Sequence, residues 1–278
     1  MGTGGIAGGS IEGLLLGDAV TAIENDAWNR MCTDLYNVYK HLEEGTVAIN
    51  IVGFSRGGAE ALDFANRVEG NIQNGSDFSF PWVNPTNDVV ATGVRINFLG
   101  LFDPVDSIDA KRDNPGILRV TVPAGIAHVA DAVAFSENRY LFDWIDLGSQ
   151  DTPTFTALGF MGAHSDIGGG YVNDPIANET ISWMTGQAKS AGMVFTTTFP
   201  SVAYTAADVH DSYMLNMGGF NPIPMPPIER SLPGGLLVDT SGGYVQYGTQ
   251  LPGFWNPDFA GDANSYNEYW KFIGGDGW

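Results

Sequence analysis

TVAINIVGFSRGGAEALDFANRV, Thr46 to Val68, is the stretch whose reading decides the fold. Thr46–Val52 is a run of apolar and β-branched residues with the character of a buried strand. It passes without a linker into a helical pattern over Arg56–Val68, and Ser55 stands at the corner between Gly53 and Gly57. A strand that turns at once into a helix is half of a βαβ unit, which belongs to a parallel sheet. A serine at such a corner has its hydroxyl lifted clear of the backbone, and the glycines relieve the crowding that the turn creates. The helix that starts at Arg56 directs its first N–H groups and its positive end toward developing negative charge. The plainer reading is a serine that caps a helix after a buried strand.

Working outward, apolar residues recur at helical spacing from Asp18 to Glu44. A second continuously apolar strand, VRINFLGLF, covers Val94–Phe102 and stops at Asp103-Pro104. A helical pattern spans about Ala124–Arg139, a strand Thr154–His164, and a helix Ile176 to about Ser190. Beyond Thr196 the chain is rich in Pro, Gly and aromatic residues, with GLLVDTSGGYVQYG (residues 235–248) reading as a hairpin. Strands alternating with helices predict an α/β fold, a mainly parallel sheet with helices on both faces. The expected organisation is a single domain over residues 1–278, its core at about 18–195 and an irregular tail or cap at about 196–278.

The 278 residues are 44% hydrophobic and 16% charged, a globular composition. Thirty-two acidic residues face twelve basic ones, a net charge of −20. That balance argues against nucleic acid and against electrostatic binding to anionic lipid. No apolar run is long enough to span a membrane, and no Sec-type signal is visible, so the expected location is cytoplasmic or reached by a non-Sec route. Cys32 is the only cysteine, which excludes an internal disulfide and a thiolate metal cluster.

Functional groups of a parallel sheet collect beyond the carboxyl ends of its strands. Three of the expected strands end in Ser55, Asp103 and His164. A serine hydroxyl needs a base, and the chain has four histidines. His41 and His128 fall within expected helices. His210 sits in the irregular tail, where it can line a pocket. His164 follows a strand and precedes Gly168-Gly169-Gly170, a loop able to bring backbone close to a ligand. For the acid that orients the imidazole, Asp103 gives the order Ser…Asp…His of hydrolases of this class. Asp106 and Asp166 are its rivals, and Asp103 on its own reads as a turn-forming Asp-Pro pair.

The segments GFSRGGAEAL (53–62), FLGLFDPVDS (98–107), AVAFSENRYLF (132–142), GFMGAHSDIGGGY (159–171), ISWMTGQAKSAGM (181–193) and HDSY (210–213) occur in one order. In that order they resemble the α/β-hydrolase domain family that includes type VI secretion phospholipase effectors. The resemblance covers roughly residues 1–215. It implies Ser55 as nucleophile, Asp103 as acid and His164 as base, with phospholipid as a family substrate. Glu137 and Arg139 correspond to a structural ion pair near the site. Members of that family begin with an apolar strand ending in Asp-Gly-Thr. MGTGG at the start of this sequence corresponds to a later turn, so the fold is expected to be shortened at its N-terminus, without that first strand.

The resulting expectation is a serine carboxylic-ester hydrolase, an esterase or lipase working through an acyl-enzyme, with no cofactor and no metal. The Arg56 N–H supplies one oxyanion donor, and Gly2–Gly4 are candidates for the second. Phe54, Asp166 and His210 are candidate pocket residues, and Phe78, Phe80, Trp82 and residues 220–227 a candidate acyl pocket or lid. The alternatives are a phospholipase effector toxin acting on membrane lipids and a catalytically inactive hydrolase-like binding domain. The expected partners are an ester or lipid small molecule and, to cover the exposed edge of the serine strand, a second copy of the chain or the hairpin at 235–248.

Overall fold

The computed structural model describes residues 18–39, 47–73, 77–78, 93–106, 116–137, 139, 142–147, 155–172, 174–205, 208–210, 236–239 and 244–246. Its elements are α1 (Asp18–Tyr39), β1 (Val47–Phe54), α2 (Arg56–Gly70), β2 (Ile72–Gln73), β3 (Asp77–Phe78), β4 (Val94–Phe102), β5 (His128–Ala134), β6 (Phe155–Phe160), α3 (His164–Gly168), α4 (Pro175–Ser190), β7 (Leu237–Asp239) and β8 (Tyr244–Gln246). The main sheet has the order β1-β4-β5-β6-β7-β8. All of its pairings are parallel except the last, the antiparallel hairpin β7–β8. This is the expected α/β, hydrolase-like architecture.

Helices cover both faces because each inner strand is apolar on both sides. On one face Trp28, Cys32 and Leu35 of α1 and Leu62, Phe64 and Val68 of α2 pack with Ile96, Leu99 and Leu101 of β4. On the other, Ile167 of α3 and Ile176, Met184 and Ala188 of α4 pack with Phe98, Ala130, Ala132 and Phe160. β4 serves both layers through a bulge. Ile49 pairs with Ile96 but Asn50 pairs with Phe98, so Asn97 is the extra residue. The insertion switches phase, leaving Ile96 and Leu99 on one face and Phe98 on the other. The Asn97 side-chain amide donates to Asn50 Oδ1 at 3.1 Å and to the Ala191 carbonyl at 2.9 Å, so the bulge is polar but satisfied.

Two expectations are corrected. The segment read as a helix over Ala124–Arg139 contains β5, a strand in the interior of the sheet. Buried on both faces, HVADAVA is a short run of small apolar residues whose spacing fits a helix as well as a strand. Its one charged residue, Asp131, is accommodated by the Trp144 indole N–H at 3.0 Å. His128 therefore begins a strand and sits at the amino end of the sheet. The hairpin forms as read, but β7 pairs with β6 at the far end from β1. It does not cover the serine strand. Among the described residues β1 pairs with β4 alone, and its Val52 is 45% exposed. The segment expected to lack the family's first strand, residues 1–17, lies outside the described residues, as do His41, Phe80, Trp82 and residues 220–227.

Candidate active site

Four parallel strands end along one line and deliver the site. Phe54 pairs with Phe102 at the last step of the β1–β4 ladder. Beyond it the Ser55 N–H donates to the Phe102 carbonyl at 3.1 Å, and the Asp103 N–H donates to the Ala132 carbonyl at 2.7 Å. Ser55 and Asp103 are thus the first residues past two adjacent strands. They are also the two positive-φ residues other than glycine among those described, at φ 60° and 46°. Such backbone costs about 1–3 kcal/mol per residue and persists where the surroundings enforce it.

At Ser55 the enforcement is visible. Its carbonyl accepts the Gly58 N–H at 2.8 Å and the Val105 N–H at 3.1 Å, pinning the corner between α2 and the segment after β4. Gly53 is required here because a Cβ would run into the Gly57 carbonyl oxygen and lie 2.8 Å from the Ala61 methyl. Arg56 occupies the first position of α2.

Asp103 is fully buried. Its Oδ1 accepts the Ala134 N–H of β5 at 2.8 Å, which fixes the carboxylate, and its Oδ2 lies 2.6 Å from His164 Nδ1. The imidazole is held on several sides. Phe54 stacks on it at 4.5 Å between centroids, and Phe142 meets it edge-on at 4.8 Å. Nδ1 is the ring nitrogen directed to Asp103. Phe54, expected as a pocket residue, stacks on this ring and helps to seat it. Gly168 permits the arrangement, since a Cβ there would collide with the Phe54 ring. The glycine is needed for packing, and it ends α3 instead of forming the ligand-approaching loop expected from the sequence.

Glu137 and Arg139 do form an ion pair, and it reaches the site. Glu137 Oε1 accepts the Arg139 backbone N–H at 2.8 Å and Nε–H at 2.9 Å. Its Oε2 accepts Arg139 Nη2–H at 2.8 Å and the His164 backbone N–H at 3.1 Å. The Arg139 guanidinium lies over the Phe142 ring at 3.5 Å, so the pair also steadies the ring that borders His164. Phe142 carries no signal in the sequence that distinguishes it from any core aromatic.

Asp166 and His210 are brought together, but with each other. Asp166 is fully buried. Its Oδ1 lies 2.6 Å from His210 Nδ1, and its Oδ2 accepts the N–H groups of His210 at 3.1 Å and Ala163 at 2.8 Å. Burial pushes the Asp166 carboxyl up to about 6, the hydrogen bonds from Ala163 and His210 offsetting only part of that. The Tyr171 ring stacks on His210 at 3.8 Å. His164 therefore takes Asp103 as its Nδ1 partner, and neither Asp106 nor Asp166. His128 is at the opposite, amino end of the strands. A cleft of about 480 Å³ lined by Glu24, Asp63, Arg67 and Arg119 lies at the carboxyl end of α2, remote from Ser55 at its amino end.

The parallel sheet with helices on both faces makes this an α/β protein of hydrolase-like architecture. Residues 79–187 match the family described as T6SS phospholipase effector Tle1-like, catalytic domain. That span includes Asp103, Glu137, Arg139 and His164, while Ser55 precedes it. Among solved structures the chain is similar to the Tle1 effector bound to the VgrG spike of the type 6 secretion system, at 27% identity and a TM-score of 0.40, over 57% of this chain and 33% of that one. It is also similar to an uncharacterized protein from Pseudomonas aeruginosa, at 18% identity and a TM-score of 0.43, over 63% of this chain and 27% of that one. The chain thus spans about a third or less of the length of these two proteins. No curated protein matches it. The family match lies over less than half of this chain.

Proposed function

We propose that the chain is a serine carboxylic-ester hydrolase whose nucleophile is Ser55, with His164 as base and Asp103 as the acid that orients it. The observation that carries this reading is the coincidence of two strained residues, Ser55 and Asp103, on neighbouring strand ends, with His164 bound to the second and stacked on the residue preceding the first. Backbone strain is retained where function uses it. His164 takes the Ser55 proton as the hydroxyl attacks the ester carbonyl, and Asp103 stabilises the imidazolium that forms. The oxyanion is held by the Arg56 N–H at the start of α2. The imidazolium returns its proton to the leaving alcohol. Water, deprotonated by the same histidine, then releases the acid from Ser55.

The family match favours phospholipid as the ester, acted on as an effector. Among the described residues no helix is long and apolar enough to cross a membrane. Release of fatty acid from phosphatidylcholine or phosphatidylethanolamine vesicles, compared with hydrolysis of short p-nitrophenyl esters, tests the phospholipid reading. Vesicle hydrolysis that Ser55→Ala abolishes supports a phospholipase, and hydrolysis of the short esters alone restricts the activity to simple esters. Pairing of two copies along the edge of β1 belongs to the same reading and would appear as a dimer in light scattering.

A further inference from the structure

We propose that Asp166, Asp174 and His210 form a binding site for a first-row divalent cation, with Zn²⁺ the best match to the donors. One carboxylate oxygen from each aspartate and one ring nitrogen of His210 lie within 4.8 Å of one another. Donors around one such ion, at bond lengths of about 2.1 Å, stand roughly 3–4 Å apart, so the set closes around it by drawing in up to roughly 1–2 Å at its widest separation. Two oxygens and an imidazole suit Zn²⁺ or Mn²⁺, whereas Ca²⁺ and Mg²⁺ prefer oxygen throughout.

The independent sign is Asp174. It is 5% exposed, and its Oδ1 is used as the N-cap of α4, accepting the Ala177 N–H at 3.0 Å. Its Oδ2 is buried and accepts no hydrogen bond from any described residue. A cap that needs only one oxygen leaves the second one free, and a buried carboxylate oxygen without a donor is costly. A cation between Asp174 and Asp166 satisfies it and balances two neighbouring buried carboxylates. His210 is the most exposed of the three, with 37% of its side chain open, and gives an entry path. Tyr171, stacked on its ring, fixes the plane of the imidazole.

His210 Nδ1 lies 2.6 Å from Asp166 Oδ1, so two of the three ligands already face each other. The three ligands come from α3, the start of α4 and the segment 208–210, and Asp166 is two residues from His164. The ion would therefore clamp the helix that carries His164 to the segment behind it. It stands outside the Asp103–His164 contact and supplies no step of the hydrolysis. It departs from the metal-free expectation drawn from the sequence.

The full chain, stripped with chelator and dialysed, is titrated with ZnCl₂ and MnCl₂ by calorimetry and followed by thermal melting. One saturable site and a rise in Tm are expected. Asp174→Asn retains an oxygen to cap α4 and should weaken binding by at least about tenfold. His210→Gln, at the more exposed ligand, should do the same if Asp174→Asn fails to fold. Asp26→Asn, in the exposed pair with Arg30, should bind as the parent does. The absence of saturable binding below about 1 mM overturns the site. So does equal binding by the parent and by both ligand variants, which would mean diffuse association with a chain of net charge −20.

Discussion

His164 Nδ1 lies 2.6 Å from Asp103 Oδ2 although the two residues are 61 positions apart in the chain. They meet because β4 and β5 end at one level, with Asp103 just past β4 and its second oxygen tied to Ala134 at the end of β5. The carboxylate cannot turn without breaking that bond. The imidazole is correspondingly fixed between Phe54 and Phe142.

Asp103→Asn should therefore keep the geometry and lose the chemistry. The amide favours the wrong tautomer of His164, and turnover should drop by about 10³–10⁴-fold, the loss that this change brings in a serine triad. Asp166→Asn should cost far less, because its partner is His210. Steady-state rates on a p-nitrophenyl ester decide the matter, and a reversed order of effects would make Asp166 the orienting acid.

Glu137 accepts hydrogen bonds from the Arg139 backbone and side chain and from the His164 backbone. Glu137→Gln turns one acceptor into a donor facing donors. We expect a loss of about 2–3 kcal/mol in urea unfolding and a fall in kcat larger than any rise in KM. Unchanged kcat with lowered stability would confine Glu137 to a structural role.

Much of this arrangement was legible in the sequence, for identifiable reasons. The β1–Ser55–α2 corner and β4 announce themselves through continuous apolar runs that stop at glycine, serine or Asp-Pro. β5 does not, because a strand of alanine and valine buried on both faces has no alternation to read. The hairpin β7–β8 was visible from its own residues, but nothing in a strand pattern says which neighbour it joins. The Asp166–His210 pair spans 44 residues. The sequence marked both as pocket candidates and held Asp166 as a rival acid, yet only the fold shows that they face each other. Asp174 was hidden by its ordinary place before Pro175, where an aspartate is expected as a cap.

Stability should depend on Glu60, one turn into the helix behind Ser55. It is fully buried, its carboxylate accepts no hydrogen bond from a described residue, and burial pushes it up to about 7, with Arg56 among the charges that oppose the rise. The unfolded chain loses this proton near the ordinary glutamate value. Between there and pH 7 the folded state holds the extra proton, so stability falls as pH rises through that window and is level above it. Glu60→Gln removes the slope. The variant should exceed the parent by roughly 2–3 kcal/mol at pH 8 and match it near pH 4.5. A difference in urea unfolding that is the same at both pH values would contradict this.

The central claim is that Ser55 is a nucleophile made reactive by His164. Its most direct test is covalent labelling of the full chain with a fluorophosphonate probe, with the modified residue located by peptide mass spectrometry. The account predicts one label, on Ser55, absent in Ser55→Ala and strongly slowed in His164→Ala, with circular dichroism unchanged in both. A folded parent chain that takes up no label, or that is labelled equally well without His164, would contradict it.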